Sequence, residues 1–126
     1  MKKAVCVLVS KNDLYLGVSR KNDPTDIGLP GGKVDQDESL IDAAIRETLE
    51  ETGLMVSGLE PVFTQVCGPG KDGAFFEVTT FVASDFVKLH PVTETGVVDW
   101  VTKQTLMNSK SFADYNKSLF NSLDSK

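Results

Sequence analysis

The stretch from Ser39 to Gly53, "SLIDAAIRETLEETG", restricts the possible folds more than any other part of the chain. Asp37 or Ser39 can cap a helix running to about Thr52, and Gly53 can end it in the left-handed conformation, so both ends are set locally. With Glu47 at zero on a helical wheel, Glu50 lies near roughly −60° and Glu51 near roughly +40°. The three carboxylates therefore share one face. Ile41, Ile45, Thr48 and Leu49 fall between roughly 100° and 200°, on the face expected to meet the core. Arg46 stands one turn from Glu50, where the two can pair.

Two readings of that acidic face stay open on helix geometry alone. A solvated face with one ion pair is common, although like charges at Glu47 and Glu51 weaken a helix by about 0.2–0.5 kcal/mol. The other reading is a hard-cation site, because carboxylate oxygens suit Mg²⁺ and a cation would remove the repulsion between them. Two familiar loops are excluded. A phosphate loop ending at Gly32-Lys33 needs Gly where Ile27 stands and Ser or Thr where Val34 stands. A calcium loop starting at Asp35 needs Gly at Leu40 and Glu at Arg46.

The rest of the chain frames this helix. Residues 3 to 9, "KAVCVLV", read as a strand buried on both faces, and "LYLGVSR" as a second strand pairing with it. Residues 21 to 32, "KNDPTDIGLPGG", are rich in Pro, Gly and Asp and read as a loop. "VSGLEPVFTQV" and "AFFEVTTFVAS" flank "CGPGKDG" as a hairpin, and "GVVDWV" supplies a short strand. Near the C-terminus Phe112, Tyr115, Leu119, Phe120 and Leu123 recur at helical spacing. Strands with two interspersed helices predict one α/β (α+β) domain over residues 1–126.

A net charge of −5 with no cationic track argues against a polymeric nucleic acid as partner. It leaves room for a phosphorylated small molecule, since a bound divalent cation reverses the local sign. No stretch approaches membrane-spanning length, and "AVCVLV" is too short for a signal peptide. Cys6 reads as a buried free thiol and Cys67 has no spacing that suggests zinc or a redox pair, so a reducing, cytoplasmic setting is expected.

A longer spacing decides between the two readings of the helix. Gly32, five residues, Glu38, seven residues, then Arg46-Glu47-Thr48-Leu49-Glu50-Glu51-Thr52-Gly53-Leu54 resembles the Nudix box. Gly32, Glu38, Arg46, Glu47, Glu50, Glu51 and Gly53 meet every fixed position, and Thr48 departs from the Leu or Ile usual at its place. The resemblance implies an α/β/α sandwich around a mixed sheet, and hydrolysis of a nucleoside diphosphate linked to another moiety with Mg²⁺ or Mn²⁺. By position it makes Glu50, Glu51 and the Gly31 carbonyl metal ligands. Glu47 becomes a ligand or the base that prepares the water, Arg46 the group that holds the glutamates, and Glu38 a support. "MKKAV" and "LPGGK" look like the MutT-type nucleoside triphosphate pyrophosphohydrolases. That likeness assigns Glu94, six residues before Trp100, to the metal site, and Arg20, Lys33 and Asn116 to the substrate. The expected substrate is a (deoxy)nucleoside triphosphate, including oxidised purines, bound by a monomer or homodimer. Pro69, fifteen residues past Leu54, instead suits an ADP-ribose pyrophosphatase, and the absence of Tyr at 70–72 weakens a diadenosine polyphosphate reading. A binding module that has lost catalysis is the alternative of another class, opposed by the intact glutamates. His90 is read as a plain loop residue.

Overall fold

The computed structural model describes residues 1–70, 72–89 and 96–125. Strand β1 (Lys2–Leu8) runs through the centre and decides where both halves of the core lie. It pairs in parallel with β8 (Phe76–Val82) and antiparallel with β5 (Gly31–Lys33), and β7 (Glu60–Cys67) closes the sheet in the order β5-β1-β8-β7. The sheet is therefore mixed.

Alternate side chains of β1 serve opposite layers, as strand geometry requires. Val5, Val7 and the adjoining Val9 pack with Ala43 and Ala44 of α1 (Leu40–Thr52), together with Leu16, Leu54, Val56 and Phe81. Leu8 packs with Leu106 of α2 (Lys103–Met107) and Phe120 of α3 (Ala113–Asp124). Each fully buried aliphatic side chain in these layers contributes roughly 1.5–3 kcal/mol. Helices thus cover both faces of the sheet, the α/β/α arrangement that the resemblance implies.

A second sheet is built on β3 (Leu14–Arg20), which pairs with β2 (Ser10–Lys11), β4 (Asp23–Gly28) and β10 (Val98–Val101). A two-stranded ribbon joins β6 (Leu54–Ser57) to β9 (Asp85–Lys88). The hairpin over "CGPGKDG" is present as β7 and β8.

Five expectations are corrected. Residues 21–32 are not a loop, because β4 and β5 occupy most of them. Pro24 is tolerated since β4 pairs with β3 alone, and the bare backbone of Gly31 is what lets β5 lie on β1: a Cβ there would sit 2.1 Å from the Val5 carbonyl. Nor does "LYLGVSR" pair with the first strand along its length. The chain bends at Val9, where Leu16 N–H donates to Val9 C=O at 2.9 Å, and β3 then pairs through Ser10-Lys11. The short helix α2, capped by Thr102 Oγ1 accepting from Thr105 N–H at 3.1 Å, was not expected. Phe112 stands before α3 rather than on its buried face and is 40% exposed.

The fifth correction concerns α1. Ser39 caps it, accepting from Asp42 N–H at 3.0 Å, and Gly53 ends it at φ 76° with its N–H on Leu49 C=O at 2.9 Å. Ile41, however, is 44% exposed, while Ala43, Ala44, Thr48 and Thr52 are buried. Ala43 lies at roughly −40° on the wheel, among the carboxylates. Two small side chains let the helix settle closely on β1 and β5, so its acidic face leans onto β5 instead of pointing away from the core. Thr48 is accommodated because its buried hydroxyl donates back to Ala44 C=O at 2.8 Å.

Candidate active site

Arg46 is the hub of the acidic face. Its Nε donates to Glu38 Oε2 at 2.8 Å and its Nη2 to Glu38 Oε1 at 3.0 Å, a two-pronged pairing that fixes the plane of the guanidinium. Nη1 reaches Glu47 Oε1 at 2.8 Å and Glu50 Oε1 at 3.3 Å, and Nη2 also donates to Lys33 C=O at 3.2 Å. Asp35 lies 3.4 Å from Nη2. These contacts, led by Glu38, push the Arg46 pKa up, so its charge is permanent at any working pH. Glu38 is held below the usual carboxylate range, first by Arg46 and then by the Asp35 amide.

Glu47 behaves differently. Burial raises its carboxyl; Arg46 opposes this, and repulsion from Glu50 and Asp35 adds to the rise, leaving Glu47 above the ordinary value. Its carboxylate lies against β5 where Gly32 has no side chain: a Cβ there would be 2.4 Å from Glu47 Oε2. Glu51 Oε1 accepts the Gly31 N–H at 2.7 Å. Helix and strand are thereby joined through two glycines.

Every candidate donor here is an oxygen, which suits a hard divalent cation. Gly32 leaves Glu47 the room to lie beside the Gly31-Gly32 backbone, so the residues fit such an ion. Among the described residues, no three acidic, Cys or His side chains already stand at metal-cage spacing. The carboxylates are instead held by Arg46 and by the Gly31 amide.

Gly31, Gly32 and Lys33 also line a cleft of about 870 Å³. Its apolar lining includes Val5, Leu29, Phe76 and Val78, and Arg20, Lys33 and Lys110 bring positive charge to an otherwise acidic chain. Lys33 Nζ lies 5.6 Å from the Phe76 ring centre, and the Arg20 guanidinium 6.0 Å from that of Phe112. Asn116 lines the cleft too, 2% exposed, with Nδ2 donating to Leu106 C=O at 2.8 Å. It is thus not a polar residue on a wet helix face. Cys6 and Cys67 are free thiols on the cleft wall, and burial raises Cys6 to about 11, far from a reactive thiolate. The structure thus brings Arg20, Lys33 and Asn116 to one cleft. Glu94 and His90 lie outside the described residues.

Sequence reasoning missed Phe76, Lys110, Phe112 and Tyr115 as cleft residues. Phe76 and Lys110 stand in no motif of the sequence, and Phe112 and Tyr115 read there only as part of the apolar spacing of a helix.

A NUDIX-domain family model matches residues 1–121. The chain belongs to the Nudix family. As a Nudix hydrolase it is an enzyme of pyrophosphate bonds, in a family that uses divalent metals and acts on small-molecule nucleotides. Solved structures agree in fold. A MutT NUDIX hydrolase from Burkholderia pseudomallei superposes with a TM-score of 0.78 at 21% identity, covering 94% of this chain and 96% of the other. A NUDIX hydrolase from Nitrosomonas europaea gives 0.79 at 21% identity over 98% and 88%. A structure described as an ADP compounds hydrolase gives 0.77 at 19% identity over 98% and 71%. No curated protein sequence matches this Nudix chain. Among its described residues, no helix is long and apolar enough to cross a membrane.

Proposed function

We propose that this Nudix hydrolase cleaves a (deoxy)nucleoside triphosphate, oxidised purine nucleotides included, to the monophosphate and pyrophosphate. The observation that carries this reading is the shared wall: Gly31, Gly32 and Lys33 belong at once to the carboxylate site and to the cation-bearing cleft. A nucleotide in the cleft would lay its phosphates beside the glutamates. Glu50, Glu51, the Gly31 carbonyl and Glu47 would hold Mg²⁺ or Mn²⁺, which supplies charge neutralisation at phosphorus and a bound water of lowered pKa. Arg46 keeps Glu47 and Glu50 in place through its own anchorage on Glu38. Glu47, with its raised carboxyl, is suited to accept a proton from the attacking water. Arg20 and Lys33 neutralise phosphate, and Asn116, its amide oriented by Leu106, reads the base. Catalysis of this kind rests on positioning and charge stabilisation and needs no covalent nucleophile.

One observation favours a second substrate. The turn carrying Pro69 contributes Gly68 and Gly70 to the cleft, so an ADP-ribose-like second half has a place to lie. A panel of dGTP, 8-oxo-dGTP, ADP-ribose and a dinucleoside polyphosphate with Mg²⁺, scored by phosphate products, separates the two. Glu51→Gln is the accompanying variant, because its amide oxygen can keep the Gly31 N–H bond while the charge is lost. Activity is expected to fall by a factor of about 10³ or more with the fold retained. Wild-type kcat in that variant would remove Glu51 from the metal site.

A further inference from the structure

Asp26 on β4 is 3% exposed, and its carboxylate accepts four hydrogen bonds, all from one distant segment. Oδ1 accepts from Ser109 Oγ at 2.8 Å, the Lys110 N–H at 3.0 Å and the Ser111 N–H at 3.1 Å. Oδ2 accepts from Ser111 Oγ. Ser109 Oγ in turn accepts the Phe112 N–H at 3.1 Å, and Phe112 C=O accepts the Asn116 N–H at 2.9 Å. One carboxylate thus anchors the run that leads into α3.

Gly28 stands two residues on and shares the strand face of Asp26. A Cβ at Gly28 would lie 2.6 Å from Phe112 Cδ2, so the Phe112 ring rests on bare backbone. Strand β4 therefore seats the segment twice, by charge at Asp26 and by shape at Gly28. Lys110, Ser111 and Phe112, the residues so placed, line the cleft. A carboxylate kept only for local strand stability would bond within its own sheet, whereas all four of these bonds leave it.

We infer that Asp26 is a positioning residue for substrate recognition, setting the Phe112 side of the cleft through Ser109–Ser111. The inference rests on the cleft being the nucleotide site. It concerns the fit of the nucleotide and leaves the chemistry at phosphorus to the carboxylates.

The test uses the full chain at 20 °C with the panel nucleotide that is best turned over. In Asp26→Ala the amides of 110–112 are expected to exchange faster, KM to rise about tenfold, and kcat to stay within about twofold. Asp26→Asn is expected to recover KM to within about threefold of wild type, since Oδ1 can keep its three donors and Nδ2 can donate to Ser111 Oγ. Phe112→Ala is expected to give a similar KM rise, and the double variant with Asp26→Ala no further one. If Asp26→Ala fails to fold, Ser109→Ala removes one of the four bonds and one link to Phe112, and a KM rise of about threefold is expected. Faster exchange of 110–112 with unchanged KM overturns the inference while leaving the nucleotide reading intact. So do additive effects of Asp26→Ala and Phe112→Ala, or an Asn variant no better than Ala. If the wild-type chain turns over no nucleotide, the function proposed for the cleft fails and the inference falls with it.

Discussion

Gly32→Ala tests how the catalytic face is held. The position lies in β5 and has no positive φ, so alanine costs the backbone nothing and only the new methyl matters. That methyl would sit 2.4 Å from Glu47 Oε2 and 2.5 Å from its Cδ, where ordinary contact begins at 3.4 Å. The Glu47 carboxylate must therefore retreat by about 1 Å, and its 2.8 Å bond to Arg46 Nη1 has to stretch or break with it. A charge-assisted hydrogen bond is worth about 1.5–3 kcal/mol, and partial exposure of this pair brings the net loss to about 1 kcal/mol. For a domain of this size that lowers Tm by about 4 °C. Displacing by 1 Å a group that acts in catalysis, the role proposed for Glu47, costs a rate factor of about 10². The expected outcome is a folded protein with kcat/KM down about a hundredfold on the nucleotide best turned over, scored by phosphate products beside a thermal melt. A variant with kcat/KM within threefold of wild type would show that Glu47 can shift without consequence, and the reasoning from Gly32 would fail. Loss of the fold itself would show that the contact is structural first.

Three further outcomes are expected. Mg²⁺ at about a hundred times its dissociation constant should stabilise the fold by about 2.7 kcal/mol, raising Tm by roughly 10 °C over EDTA at matched ionic strength; no rise would remove the metal from the carboxylate face. Asn116→Ala should cost about 1–3 kcal/mol by leaving the buried Leu106 carbonyl unbonded, and should flatten the preference among bases; equal loss across all bases would mark the side chain as structural. For Asp26, burial raises the carboxyl but the hydrogen bonds from Ser111, Ser109 and the Lys110 amide outweigh it, so its folded pKa is depressed. Its stabilisation is then complete above an unfolded value near roughly pH 4 and is lost as pH falls through the folded value, so the Tm gap between wild type and Asp26→Asn at neutral pH should narrow in acid and would refute the linkage if it did not.

The parts of the fold legible in the sequence were those written locally. Ser39 and Gly53 bound α1 because a cap and a left-handed terminus need only neighbours a turn away, and Arg46 with Glu50 sits within one helical repeat. Residues 21–32 misled because Pro, Gly and Asp are the residues of turns, whereas here Gly31 and Gly32 are needed for close approach to β1 and α1. Ile41 misled for a related reason. A wheel assigns the core to the largest apolar stripe, but α1 is seated by Ala43 and Ala44, which bring the glutamates down with them. The cleft wall built by Asp26 and the 109–112 segment could not be read at all, since its bonds span more than eighty positions and serine, lysine and aspartate signal nothing by spacing.

The crowding of carboxylates around one arginine also acquires a physical sense that neither helix propensity nor pairing supplies. Arg46 touches Asp35, Glu38, Glu47 and Glu50, so a single cation is shared by four anions and the site keeps a strong negative surplus. If Arg46 served stability alone, the cheapest arrangement would spend it on Glu38, where both oxygens are engaged, and leave the other acids facing water. Instead Glu47 is drawn into a place where burial and its like-charged neighbours both raise its pKa, and Gly32 is kept bare to admit it. Those are costs to folding. They become intelligible when the surplus is the means of attracting a divalent cation, and when Arg46 keeps the acids ordered before the cation arrives, so that little reorganisation is left for the reaction itself.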